Sequence, residues 1–179
     1  MKRQRNFLSR VSVFFMLLVF TLTTSAQEFN KTVFDEKNRQ DILIGYCDRS
    51  GLMQGNFGMY YAEEYENYLF EPEVIDRLKI QTFEGITFHI VLGTWCGDSK
   101  EQVPRFIKLL DSLHYDVDEV TFIGVDRART AGDISVEEFN IARVPTFIVY
   151  QYGEEIGRII ETPEVSLEED LEKIILDNK

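Results

Sequence analysis

The sequence is poor in the residues that cross-link, bind metal or punctuate a chain. Among 179 residues only two are cysteine, two histidine, four proline and one tryptophan. Two cysteines, Cys47 and Cys96, exclude a disulfide framework. The two histidines, His89 and His114, are scattered relative to them without zinc-ligand spacing, so no metal and no cofactor is expected. His89 alternates within an apolar stretch and reads as packed or paired rather than catalytic. Internal repeats and low-complexity tracts are absent as well. Positive charge is scarce: 19 basic residues face 31 acidic ones, for a formal net charge of -12. A chain this acidic repels nucleic acid, which is set aside as a partner, and anionic membrane surfaces.

The most apolar run stands at the start. Lys2, Arg3, Arg5 and Arg10 precede Val11 to Thr24, "VSVFFMLLVFTLTT", and Thr24-Ser25-Ala26 supplies small residues after it. This run is short for a membrane span of roughly 20 residues, and its flanks are those of a signal peptide. Residues 1–26 are therefore expected to be removed on export, giving a periplasmic or secreted protein that begins near Gln27. The protein would meet a membrane only through this leader, if it stayed uncleaved. Removing its four cations takes the formal charge from -12 to about -16. About 150 residues remain, enough for one domain with its own core.

From Gln27 to Asp41 the chain is polar and shows little periodicity, as a lead-in would. Ile42 to Cys47, "ILIGYC", is a short buried segment, and the three glycines of "DRSGLMQGNFGMYY" predict loop. "AEEYENYLFEPEVIDRLK" is helical in type, with Pro72 placed to open a second helix. Residues 27–84 thus read as an aromatic-rich, partly helical extension. Periodicity sharpens from residue 85. "ITFHIVLG" is a buried strand, and "KEQVPRFIKLLDSL" sets Val103, Phe106, Ile107, Leu110 and Leu113 on one helical face. "VTFIGVD" is a second strand. Ser135 with Glu138 predicts a capped short helix, and "TFIVYQYG" with "EIGRIIE" a hairpin. Ser166 with Glu169 opens a terminal helix. Residues 85–179 form an α/β unit: a mixed sheet with helices on both faces.

In such sheets, chemistry gathers at the carboxyl ends of the parallel strands. There stands Gly93 to Lys100, "GTWCGDSK", with Cys96 at a strand-to-helix junction. Unpaired N–H groups at a helix start stabilise a thiolate, the reactive form of cysteine.

Trp95-Cys96-Gly97, Lys100 four residues after Cys96, Pro104 eight after it, Val144-Pro145-Thr146, and Gly153 eight residues beyond Pro145 occur here in one order. Together they resemble the thioredoxin superfamily from Ile86 to the C-terminus. The resemblance implies the thioredoxin fold and thiol-disulfide exchange through Cys96. It also implies a cis Val144-Pro145 bond, used in that family to pair with a bound substrate strand. Trp95, Gly97, Asp98, Ser99, Arg143, Val144, Pro145 and Thr146 would shape the site. Three positions depart from the family: Ser99 stands where the resolving cysteine belongs, Asp98 replaces a proline, and Ile90 replaces a buried acid.

One sulfur attacks a disulfide but cannot release the product alone. Cys47 is either a small buried hydrophobe or a resolving thiol, and a bridge needs Cα atoms about 4.4–6.8 Å apart. Arg143 is either a cation beside Cys96 or half of a surface ion pair. The leading expectation is a monothiol thiol-disulfide oxidoreductase or isomerase acting on protein thiols and disulfides, or with a small thiol reductant. The alternative is a noncatalytic polypeptide-binding module on the same fold, whose binding would be indifferent to Cys96.

Overall fold

In the computed structural model, which describes residues 28–178, the chain begins with an antiparallel hairpin of β1 (Thr32–Asp35) and β2 (Gln40–Leu43). The expected leader, residues 1–26, lies outside the described residues. The hairpin replaces the featureless lead-in expected up to Asp41. Its turn is closed by the Asn38 N–H donating to Asp35 Oδ2 at 3.2 Å. Strands of four residues, exposed over most of β1, leave no period to detect in sequence.

Next come β3 (Gly45–Cys47), the single turn α1 (Arg49–Leu52), α2 (Gly55–Asn67) and α3 (Pro72–Lys79). Pro72 occupies the first turn of α3, as its fixed φ predicts. The glycine-bearing stretch expected to be loop is largely helical instead. Asp48 caps α1 by accepting from the Gly51 N–H at 3.0 Å. In α2, Phe57 and Tyr61 lie four residues apart and are both buried. That burial outweighs the roughly 1 kcal/mol that each helical glycine costs.

The remaining elements are β4 (Ile86–Leu92), α4 (Gly97–Ser112), β5 (Thr121–Gly124), β6 (Thr146–Gln151), β7 (Glu154–Ile160) and α5 (Leu167–Asp177). The helix expected after Ser135 is only a 3-10 turn, Glu137–Phe139, which starts from Val136 without a side-chain cap. Left-handed Asn140, φ 50°, ends it. Ser166 does cap α5, accepting from the Glu169 N–H at 3.2 Å.

The main sheet has the order β3-β5-β4-β6-β7. β4 and β5 are parallel, and every other neighbouring pair is antiparallel. Alternate residues of β4 feed two cores. Phe88, Ile90 and Leu92 join the larger one with residues from all five helices. Val91 joins a smaller one with Ile123, Val125, Val136 and Val144, roofed by Phe139 and the loops around it. Helices therefore cover the two faces unequally. The 27–84 segment contributes more than helices, since β3 is the edge strand of the main sheet.

Glu168, in the first turn of α5, is almost fully buried. Its carboxylate accepts from the Tyr68 hydroxyl at 2.7 Å and the Glu71 N–H at 3.0 Å, tying α5 to the link between α2 and α3. Glu168→Ala would leave both part-buried donors without this partner. It is expected to lower the unfolding free energy by about 2–3 kcal/mol in urea titration, with Glu168→Gln recovering part of the loss.

Candidate active site

The parallel pairing of β4 and β5 brings two chain exits to one edge of the sheet. After β4 the chain runs through Gly93, Thr94 and Trp95 to Cys96; after β5 it runs through Val125 to Arg127. Thr146 pairs with Val91 at this same end of β4, so Val144 and Pro145 arrive there too. The Val144-Pro145 peptide is cis.

Cys96 is half-buried and is the N-cap residue of α4. Its thiol donates to the Val144 carbonyl at 3.3 Å and lies 3.9 Å from Asp98 Oδ2. The first-turn N–H groups of α4 have no intrahelical partners and favour negative charge at this position. Gly97, next in line, is exposed, and an added Cβ there would meet nothing within 4 Å. A bare stretch of backbone that a partner chain can approach thus follows Cys96 directly.

Ser99 is fully buried and accepts from the Gly93 N–H at 3.1 Å, which fixes the strand-to-helix junction. Thr94 does similar work, accepting from the Leu43 N–H at 3.0 Å. Thr146 donates to the Arg143 carbonyl at 2.7 Å and shapes the loop before Pro145. The Arg143 side chain is 67% exposed and pairs with Glu161 at 2.6 Å, so it is the surface ion pair. Lys100 and Arg127 each share an electrostatic interaction with Cys96. Lys100 lies over the Tyr60 ring at 4.3 Å. Burial lowers its proton affinity, while the charge on Cys96 acts the other way.

Cys47 is not a resolving partner in this arrangement. Both cysteines are free. Cys47 is 2% exposed and belongs to the larger core, whereas Cys96 packs on the smaller core across the sheet. Burial pushes the Cys47 thiol up to about 12, which leaves it protonated and unreactive at neutral pH. His89 is packed as expected: its ring lies 5.6 Å from Phe139 and 4.8 Å from Tyr150, and burial holds it toward the neutral form.

Trp95 has more fixed contacts than the motif suggests. Its Nε1–H donates to the Val125 carbonyl at 2.8 Å, and its ring lies so close to Gly93 that an added Cβ would come within 2.7 Å. The Arg127 guanidinium sits over the ring at 4.6 Å and is bound by both oxygens of Asp35 at 2.9 Å. Asn38 donates to the Trp95 carbonyl at 3.4 Å. Asp35, Asn38 and Arg127 were not foreseen. Arg127 was open to discovery, since it follows the second parallel strand; Asp35 and Asn38, in an aperiodic hairpin, left no signal.

A helix-capping cysteine beside a cis-proline loop, at the carboxyl edge of a mixed sheet, defines a thioredoxin-type site. The thioredoxin family model matches residues 86–175, just over half of the chain, and the protein belongs to this family. It is 37% identical to a thioredoxin of Coprinus comatus over 81 residues, which cover 45% of this chain and 73% of that one. It is 30% identical to a thioredoxin of Echinococcus granulosus over 77 residues, covering 43% and 66%. A crystal structure from Pseudomonas aeruginosa, 13% identical, shares the fold with a TM-score of 0.51 over 75% of this chain and 82% of that one.

The Arg127 guanidinium holds the Asp35 carboxyl below its ordinary value. A lowered carboxyl contributes fully above that ordinary value, about 3.9, and its contribution is lost as pH falls through the folded one. Emission from Trp95, the sole tryptophan, is therefore expected to stay flat from pH 8 to about pH 5 and to change only below about pH 4. Asp35→Asn should show altered emission already at pH 7. A transition between pH 5 and 7 would assign the ring's position to another group.

Proposed function

We propose that this protein is exported and performs thiol-disulfide exchange through Cys96 alone, by way of mixed disulfides. Membership in the thioredoxin family supports a redox role of this kind in general. The observation that carries the single-sulfur form is the arrangement of the three candidate groups: Cys96 is accessible at a helix start, Ser99 is an oxygen bound to Gly93, and Cys47 is buried on the other side of the sheet.

In the first step the Cys96 thiolate attacks one sulfur of a substrate disulfide. The substrate S–S bond breaks, a new S–S bond joins Cys96 to the substrate, and the second substrate sulfur leaves as a thiolate that takes up a proton. With no second thiol at hand in the site, release needs an outside attacker. If another thiolate of the same substrate attacks the substrate sulfur, Cys96 is regenerated and the disulfide has been moved, with no net electron transfer. If two small or protein thiols attack in succession, the substrate is reduced and those thiols leave as a disulfide.

Export rests on the basic start, the short apolar run and the small residues up to Ala26. Sequencing the N-terminus of protein recovered from its native host should give Gln27, and retention of residues 1–26 would refute export by cleavage.

Oxidised glutathione is a suitable probe of the chemistry, with mass spectrometry as the readout. Wild type and Cys47→Ala should each gain one glutathionyl group, and Cys96→Ser none. Ser99→Cys should convert the site to a dithiol. Residues three apart on a helical turn have Cα atoms about 5 Å apart, inside the bridging range, so oxidation of that variant should join Cys96 to the introduced thiol. Polypeptide binding that persists in Cys96→Ser, without any adduct in wild type, would instead make the protein a binding module.

A further inference from the structure

The residues that surround Trp95 come from a part of the chain outside the matched family region. Asp35 and Asn38 belong to the β1-β2 hairpin, and the family match starts only at residue 86. The carboxylate of Asp35 is 8% exposed, takes Arg127 Nε and Nη2 on its two oxygens, and so holds the guanidinium in one orientation. That guanidinium covers the ring next to Cys96. Asn38, three residues along the same turn, holds the Trp95 carbonyl.

We propose that Arg127 is a positioning residue for exchange at Cys96: clamped by Asp35, it fixes the Trp95 ring and keeps a positive charge beside the attacking sulfur. This rests on the exchange reading above. The sulfur otherwise faces acceptors, the Val144 carbonyl at 3.3 Å and the Asp98 carboxylate at 3.9 Å. Two cations oppose them. Lys100 is anchored on Tyr60 and is itself partly desolvated, whereas Arg127 keeps its charge at every working pH. Asp35 foremost, and the charge on Cys96 in smaller measure, stabilise the guanidinium. The bidentate clamp also explains why an arginine stands here, because lysine cannot hold a carboxylate at two points while lying across a ring.

The test is the rate at which Cys96 is alkylated by iodoacetamide, a neutral reagent, in full mature protein at pH 7. It is run at low salt and at 1 M salt, in a Cys47→Ala background. Arg127→Gln and Arg127→Lys both keep a stem on Trp95, and circular dichroism checks that each folds. Arg127→Gln should slow alkylation about threefold at low salt, Arg127→Lys should recover at least half of that loss, and the gap should shrink at 1 M salt. Asp35→Asn removes a negative charge yet should also slow the reaction, since the guanidinium loses its clamp. Wild-type rates in Arg127→Gln, equal and salt-insensitive losses in both Arg127 variants, or acceleration by Asp35→Asn would each overturn the proposal. The two readings fail in distinguishable ways. A reactive wild-type Cys96 with an indifferent Arg127 sinks only the positioning role, while an unreactive wild-type Cys96 sinks both.

Discussion

The parallel pairing of β4 with β5, in register from His89↔Thr121 to Leu92↔Gly124, sends two segments out of the sheet at one edge. Parallel neighbours always place both carboxyl ends together, and a helix must then carry the chain back to start the next strand. Here that helix is α4, and its first residues inherit the unpaired N–H groups of a helix start. This constraint places Cys96 at that helix start. The segment after β5 supplies the other half of the site, with the Val125 carbonyl binding Trp95 Nε1–H and Arg127 covering the ring. A loss of the β4-β5 register would separate sulfur, ring and cation at once.

The same sheet keeps the two thiols apart. Side chains alternate across a strand, so Cys47, opposite Phe122 in the β3-β5 ladder, shares the larger core with that residue, while Cys96 lies against the smaller one. No rotamer change brings a side chain through a five-stranded sheet. Cys47 serves as a packing residue, and burial keeps its thiol protonated. Ser99 occupies the position from which a second sulfur would act, but its oxygen joins β4 to α4 through Gly93. Among the described residues no second thiol stands beside Cys96.

Segments beyond the matched family region are built into this unit. β3 extends the sheet, α2 lies along α4, and Glu168 at the start of α5 is buried under Tyr68 and the Glu71 backbone. Arg49 adds a bidentate pair to Asp111 of α4, which also accepts from the Tyr65 hydroxyl at 2.6 Å. The hairpin ahead of them reaches the candidate site itself through Asp35 and Asn38. Each contact buries or satisfies polar groups on both partners, so the N-terminal segment and the family core stabilise one another.

Sequence by itself determined the features that are local and periodic. The buried strand at Ile86–Leu92, the apolar face of α4, the Pro72 start of α3 and the Ser166 cap each depend on residues within a turn or two of one another. The Trp-Cys-Gly and Val-Pro-Thr stretches marked the site for the same reason. Contacts between distant residues were decided only in the folded chain. A four-residue hairpin has no period of its own, so nothing near Asp35 announces that it meets Arg127, 92 residues away. Glycines at 51, 55 and 58 suggested loop until burial of Leu52, Phe57 and Tyr61 made helix the better state. Whether Cys47 meets Cys96, and whether Arg143 lies beside the sulfur or pairs with Glu161, depended on which face of the sheet each side chain takes and which partner it finds there. Those are properties of the sheet as a whole, set by strand order and register, and no single stretch of sequence contains them.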